Sequence, residues 1–181
     1  ERATAVYLVD RTVPMLPEKL SNYLCSLRPH EDRLSFSAIF EIDDQGKIYS
    51  QWFGRTVIHS DRRFTYQEAQ EVIEEKSDEY GREMKVLNDI AHVLRKKRFN
   101  GAINFEEDEV RFELDDQGKP IRVYRKIRKD AHKMIEDWML LANRKVSEYA
   151  TKLRKEPVLP FVYRIHDRPD EEKLRNLQQF V

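Results

Sequence analysis

The sequence predicts an α+β chain, with antiparallel or mixed β-hairpins packed against several helices. Two stretches, 34–42 and 110–114, alternate apolar and polar residues with the period of a half-buried strand. Each runs into the same turn tetrapeptide, Asp43-Asp44-Gln45-Gly46 in one case and Asp115-Asp116-Gln117-Gly118 in the other. Four further stretches carry apolar residues at the helical period. No repeat, low-complexity stretch or flexible linker interrupts the chain, so 1–181 reads as one domain or part of one.

The elements follow in order. Ala5 to Val9 is short, apolar and β-prone, and reads as a strand. Pro17 suits the first turn of a short helix ending about Leu24, with Leu16, Leu20 and Leu24 on one face. Leu34, Phe36, Ala38, Phe40 and Ile42 form the inward side of the next strand, and Ile48 to Ile58 returns antiparallel to it. Thr65 with Glu68 three positions later is a capping box, and Ala69, Val72 and Ile73 face the core behind it. Met84, Leu87, Ile90, Ala91 and Leu94 mark a second helix. It closes on Arg95-Lys96-Lys97-Arg98, cations where the helix dipole favours them. The second hairpin brings Ile121 and Val123 back against Val110, Phe112 and Leu114. The longest helix runs from Asp130 to about Arg154, with Met134, Ile135, Trp138, Ala142, Val146, Tyr149 and Leu153 as its stripe. A strand at Phe161–Ile165 and a short helix after Pro169 complete the reading.

Composition excludes several functions. Hydrophobic residues at 40% are enough for a core, and charged residues reach 36% against a typical value of about 25%. Lys+Arg 33 balances Asp+Glu 33, so no bulk positive field draws the chain to nucleic acid or an anionic membrane. No apolar run approaches the roughly 20 residues of a membrane span. Cys25 is the one cysteine, without an internal disulfide partner or zinc-type spacing, which suits a soluble, cytoplasmic chain. The opening Glu1-Arg2-Ala3-Thr4, with no initiating Met, suggests an excised piece.

Spacing alone reveals little chemistry. The histidines fall at 30, 59, 92, 132 and 166, with no helical metal-binding pair. Five glycines leave room for neither a dinucleotide nor a phosphate-binding loop. Asp43-Asp44 and Asp115-Asp116 sit in turns, where Asp bonds its own backbone. Glu136 projects at the edge of the long helix's apolar stripe, and 122–133 is rich in Lys and Arg.

Five ordered blocks carry a resemblance. They are Ala5-Val6-Tyr7-Leu8-Val9 through Pro14-Met15-Leu16-Pro17-Glu18 to Leu24-Cys25-Ser26-Leu27; Arg63-Phe64-Thr65-Tyr66; Gly101-Ala102-Ile103-Asn104-Phe105-Glu106; Asp130-Ala131-His132-Lys133-Met134-Ile135-Glu136 with Leu141-Ala142-Asn143; and Tyr163-Arg164-Ile165-His166-Asp167. Together they resemble the central part of the catalytic (RNB) domain of the ribonuclease II/ribonuclease R (VacB-type) exoribonucleases. The resemblance implies processive 3′→5′ hydrolysis of single-stranded RNA to nucleoside 5′-monophosphates by two Mg²⁺ ions. The family's metal-binding aspartate cluster, D-x-x-x-x-x-D-x-D-D, and its arginine motif, Thr-Ser-Pro-Ile-Arg, do not occur in this sequence. The resemblance therefore implies no catalytic or metal-binding residue in this chain, no cleavage by it alone, and no obligate protein partner.

What the chain retains, on the same resemblance, is RNA-holding wall. Tyr7 matches the tyrosine beside the RNA 3′ end, and Phe105 the aromatic closing the other end of a base stack. Stacking suits degradation because every base has a π-face. Tyr66 and Glu136 match positions that choose RNA over DNA, and a carboxylate can accept a hydrogen bond from a 2′-OH. Cys25 is expected as a small buried hydrophobe. Three positions depart from the common pattern: Tyr23 for Gly, Asn104 for Ser, and Asp137 for a second Glu. An alternative reading is a non-catalytic RNA-binding or protein-interaction module derived from the same domain.

Overall fold

A computed structural model describes residues 4–99, 109–153, 160–162, 165 and 167–180. Within them lie three two-stranded antiparallel sheets and four α-helices, an α+β content. The chain divides into two compact units, Glu1–Val146 and Ser147–Val181. No helix among the described residues is long and apolar enough to cross a membrane.

In the first unit, β1 (Val6–Tyr7) pairs with β2 (Thr12–Val13), so the expected strand at 5–9 shrinks to one two-residue rung. The expected short helix is a six-residue π-helix at Lys19–Leu24, closed by Cys25 N–H donating to Leu20 O at 2.8 Å. It has no buried residue, and Leu16, Leu20 and Leu24 are exposed. Cys25 is exposed as well, which corrects its expected burial: none of the described residues covers this turn.

β3 (Asp32–Ile42) and β4 (Ile48–His59) form the expected antiparallel hairpin, with Ala38 opposite Phe53 and Leu34 opposite Val57. Its turn shows why Gly46 follows Asp43-Asp44-Gln45. Asp43 Oδ1 accepts the Lys47 N–H at 2.7 Å, Gly46 N–H donates to Asp43 O at 3.0 Å, and Gly46 adopts φ +68°. The second hairpin, β5 (Glu109–Leu114) with β6 (Pro120–Lys126), repeats this geometry through Asp115 and Gly118, the latter at φ +79°. Both register shifts fall one step before the turn, at Glu41/Ile42 and Glu113/Leu114.

Only part of the first hairpin's apolar face is covered. Phe53 is buried with Phe40 edge-on at 6.0 Å, while Leu34 and Phe36 are 85% and 68% exposed. Their expected inward placement is therefore corrected. The turn-proximal half lies near α2, where a Cβ on Gly46 would meet Leu94 Cδ2 at 3.2 Å, and among the described residues the open end has no such cover.

The core sits among three helices, α1 (Tyr66–Ile73), α2 (Gly81–Arg98) and α3 (Asp130–Lys152). Ala69, Val72, Ile90, Ala91, Ala131 and Met134 are buried. Trp138 Nε1 donates to Leu87 O at 3.1 Å, and Gln70 Oε1 accepts the Ala131 N–H at 3.0 Å. On α3 the inward face runs through Ala131, Met134 and Asp137, so Ile135 is exposed where burial was expected. In the second unit Leu153 is exposed, Phe161, Val162 and Ile165 belong to no strand, and Tyr163 and Arg164 lie outside the described residues. The final helix, α4 (Glu171–Phe180), starts on Asp170, whose Oδ1 accepts the Glu172 N–H at 2.9 Å.

Candidate nucleic-acid interface

Local chemistry places Tyr66. Thr65 is extended at the N-cap of α1, its Oγ1 accepts the Glu68 N–H at 3.2 Å, and Glu68 Oε2 accepts the Thr65 N–H at 2.7 Å. Those bonds, with Arg62 donating to Glu68 Oε1 at 3.0 Å, hold the Glu68 carboxyl down at about 2, from an ordinary 4.5. Tyr66 is the first residue of the helix so fixed. Its ring stacks on His132 of α3, with centroids 4.2 Å apart and planes 9° off parallel.

Glu136 lies one turn beyond His132 on α3, so the two share a face. Arg128 Nη2 donates to Glu136 Oε2, and Arg98 Nη2 lies 3.8 Å from Oε1. Asp137, only 2% exposed, takes the other side of Arg98. Its Oδ1 is 2.8 Å from Arg98 Nη1, and its Oδ2 accepts from Arg95 Nε at 2.9 Å. The close contacts of Asp137 Oδ1 and Arg95 Nη2 are ion pairs without hydrogen-bond alignment. This buried carboxylate ties the C-terminal turn of α2 to α3 directly beside Glu136.

Tyr7 occupies a different place. It is 77% exposed on β1 and lines a groove of about 520 Å³ with Leu8, Val9, Val110, Arg111 and Phe112. The β1 segment therefore lies alongside β5. Phe105, which precedes β5 in sequence, lies outside the described residues.

The structure thus stacks Tyr66 on His132, which shares a face of α3 with Glu136, and sets Tyr7 in a groove that neither Tyr66 nor Glu136 lines. An exposed aromatic face, a half-exposed phenol and a carboxylate between guanidinium groups suit a ligand with stacking bases and hydroxyls. His132, Arg98, Arg128 and Asp137 have no place among the residues expected at the site. The sequence signals for His132 are its place in the Asp130–Glu136 block and its i, i+4 spacing to Glu136. Among the described residues no group of three or more His, Cys, Asp or Glu is placed to hold a metal ion.

The RNB domain family model matches residues 1–181, and the chain belongs to that family. It is 38% identical over 191 residues to Ribonuclease R 2 of Lactococcus lactis subsp. lactis, covering 98% of this chain and 28% of that protein. It is 34% identical over 196 residues to a protein of Arabidopsis thaliana named Inactive exonuclease DIS3L2, covering 99% of this chain and 18% of that one. Among solved structures, Mycoplasma genitalium RNase R in complex with ribose-methylated single-stranded RNA superposes with a TM-score of 0.84 at 30% identity. That match covers 97% of this chain and 28% of the bacterial one. The chain therefore spans less than a third of each of these relatives.

Proposed function

We propose that the protein carrying this chain is a processive 3′→5′ exoribonuclease that hydrolyses single-stranded RNA to nucleoside 5′-monophosphates. In this reading the chain supplies part of the wall that holds the RNA. The match to the RNB domain along the whole chain, with the same fold as an RNase R bound to single-stranded RNA, is the observation that carries it. Tyr7 offers an exposed ring to a base, a contact indifferent to sequence. Tyr66 and Glu136 face the sugar, with the Glu136 carboxylate accepting from a 2′-OH that DNA lacks. Phe105 closes the base stack.

Two-metal hydrolysis by Mg²⁺ needs a carboxylate cluster. The described residues supply no such group, so they do not fit that site, and no step is assigned to the ions here. Cleavage falls to residues outside this chain, and the isolated chain binds oligoribonucleotides weakly without shortening them. The plant relative's name supports a second reading, an RNA-binding module without hydrolysis.

A 5′-labelled oligoribonucleotide incubated with Mg²⁺ and the complete natural protein separates these. Stepwise shortening from the 3′ end with release of nucleoside monophosphates is expected. Binding without shortening supports the module, and neither binding nor shortening overturns both. In the same protein, Glu136→Ala is expected to erode the preference for RNA over DNA; an unchanged ratio removes Glu136 from the site.

A further inference from the structure

We propose that His132 is a positioning residue for RNA-over-DNA selection, acting as the fixed plate against which the Tyr66 ring is set. The inference rests on the proposed role of Tyr66 and Glu136 and adds the residue that couples them. Tyr66 stands at the first position of an eight-residue helix and is 51% exposed, so its own helix leaves the ring free to change rotamer. What holds the ring is the parallel stack on the imidazole, at 4.2 Å and 9°. With one face so occupied, the phenol hydroxyl and the remaining edge keep a set direction.

The imidazole is itself anchored. The Lys129 backbone N–H reaches His132 Nδ1 at 3.4 Å, which places the ring proton on Nε2 when the imidazole is neutral. Immediately before it, the Ala131 N–H donates to Gln70 Oε1 on α1. Ala131 and Gln70 are both buried, so α1 and α3 are joined at the base of the stack. Four residues later on the same ridge stands Glu136. His132 thus sets the Tyr66 ring one helical turn from Glu136, whose carboxylate Arg128 and Arg98 hold. Two groups that must meet one ribose need that fixed spacing, because a loosely held pair loses affinity to ordering.

Dissociation constants for a single-stranded RNA and a DNA of the same sequence, measured on the complete protein for the unaltered form, His132→Ala, His132→Phe and Glu136→Ala, test this. The Tyr66 ring resonances of the complete protein, assigned through Tyr66→Phe, provide an independent readout. His132→Ala is expected to lower the RNA/DNA affinity ratio about threefold to tenfold, the size of one hydrogen bond lost from a set geometry. It is also expected to remove the ring-current shift on Tyr66. His132→Phe, which keeps a flat ring, restores both. If Glu136→Ala lowers the ratio while His132→Ala moves the Tyr66 resonances but leaves the ratio unchanged, the positioning role is overturned and the site stands. If Glu136→Ala leaves the ratio unchanged, the site itself fails. Should His132→Ala not fold, His132→Phe decides: a retained ratio with a retained ring shift supports the stack, and a lost ratio with a retained ring shift overturns it.

Discussion

Removing the Asp137 carboxylate takes the buried partner from Arg95 at the junction of α2 and α3 and leaves Arg98 with Glu136. Asp137 is 2% exposed, with Arg95 Nη2 at 2.7 Å and Arg98 Nη1 at 2.8 Å. Breaking a buried ion pair by deleting one partner costs about 3–5 kcal/mol, because the surviving charge stays desolvated. Here the Arg95 and Arg98 side chains retain 19% and 34% of their exposure, so water reaches both and the lower end applies. Asp137→Ala is therefore expected to destabilise the chain by about 3 kcal/mol, a midpoint shift of roughly 6–12 °C for a chain of this size. Urea unfolding followed by far-UV circular dichroism supplies the free energy, and Asp137→Asn separates the charge from the volume. Replacing the pair by apolar residues, Asp137→Leu with Arg95→Met, is expected to recover much of the loss, since desolvation of both ions then disappears. A loss below about 1 kcal/mol for Asp137→Ala would refute the reasoning, because a deletion that small is the mark of a solvent-screened surface pair.

Five further substitutions probe the local devices. Thr65→Ala removes the side-chain cap of α1 and is expected to cost about 1 kcal/mol in urea unfolding. The Glu68 carboxyl is depressed in the folded chain, so its contribution is full above pH 4.5 and is lost as pH falls toward about 2. The stability gap between the unaltered chain and Glu68→Ala should therefore close over that window, and a gap that persists at pH 2 contradicts the capping box as its source. Gly46→Ala and Gly118→Ala both force a side chain to positive φ, at a cost of roughly 1–2 kcal/mol. Gly46→Ala should cost more in thermal unfolding, since its new Cβ meets Leu94 Cδ2 at 3.2 Å while Gly118 faces open space. Gly54→Ala drives a Cβ into the Trp52 ring, so the indole must swing away. A changed tryptophan emission maximum is expected, and an unchanged spectrum would show that Trp52 does not lie over Gly54.

Where structure is made by neighbours in sequence, the residues announce it. The Thr65–Glu68 box, the two Asp-Asp-Gln-Gly turns and the stripe of Ile90 and Ala91 are legible because a cap, a positive φ or a helical period needs only a few consecutive residues. Coverage is a long-range property and was not legible. Period-two alternation gives Leu34 and Phe36 a common face but not what lies over it, and the same holds for Cys25 and the leucines beside it. The burial of Asp137 has no local signal, because its partner Arg95 comes 42 positions earlier. The Tyr66–His132 stack joins two helices in the same way and has no local signal. Family membership was legible through ordered motif blocks along the chain, since those survive where pairwise contacts cannot be read.

The most direct test of the RNA-holding wall is photocrosslinking of a thiouridine-containing single-stranded RNA to the complete protein, with the adducts mapped by mass spectrometry. Adducts are expected on the peptides carrying Tyr7 and Tyr66, with unlabelled RNA suppressing them better than DNA of the same sequence. Adducts confined to the basic end of α2 at Arg95–Arg98, suppressed equally by RNA and DNA, would contradict it and leave only a nonspecific polyanion contact.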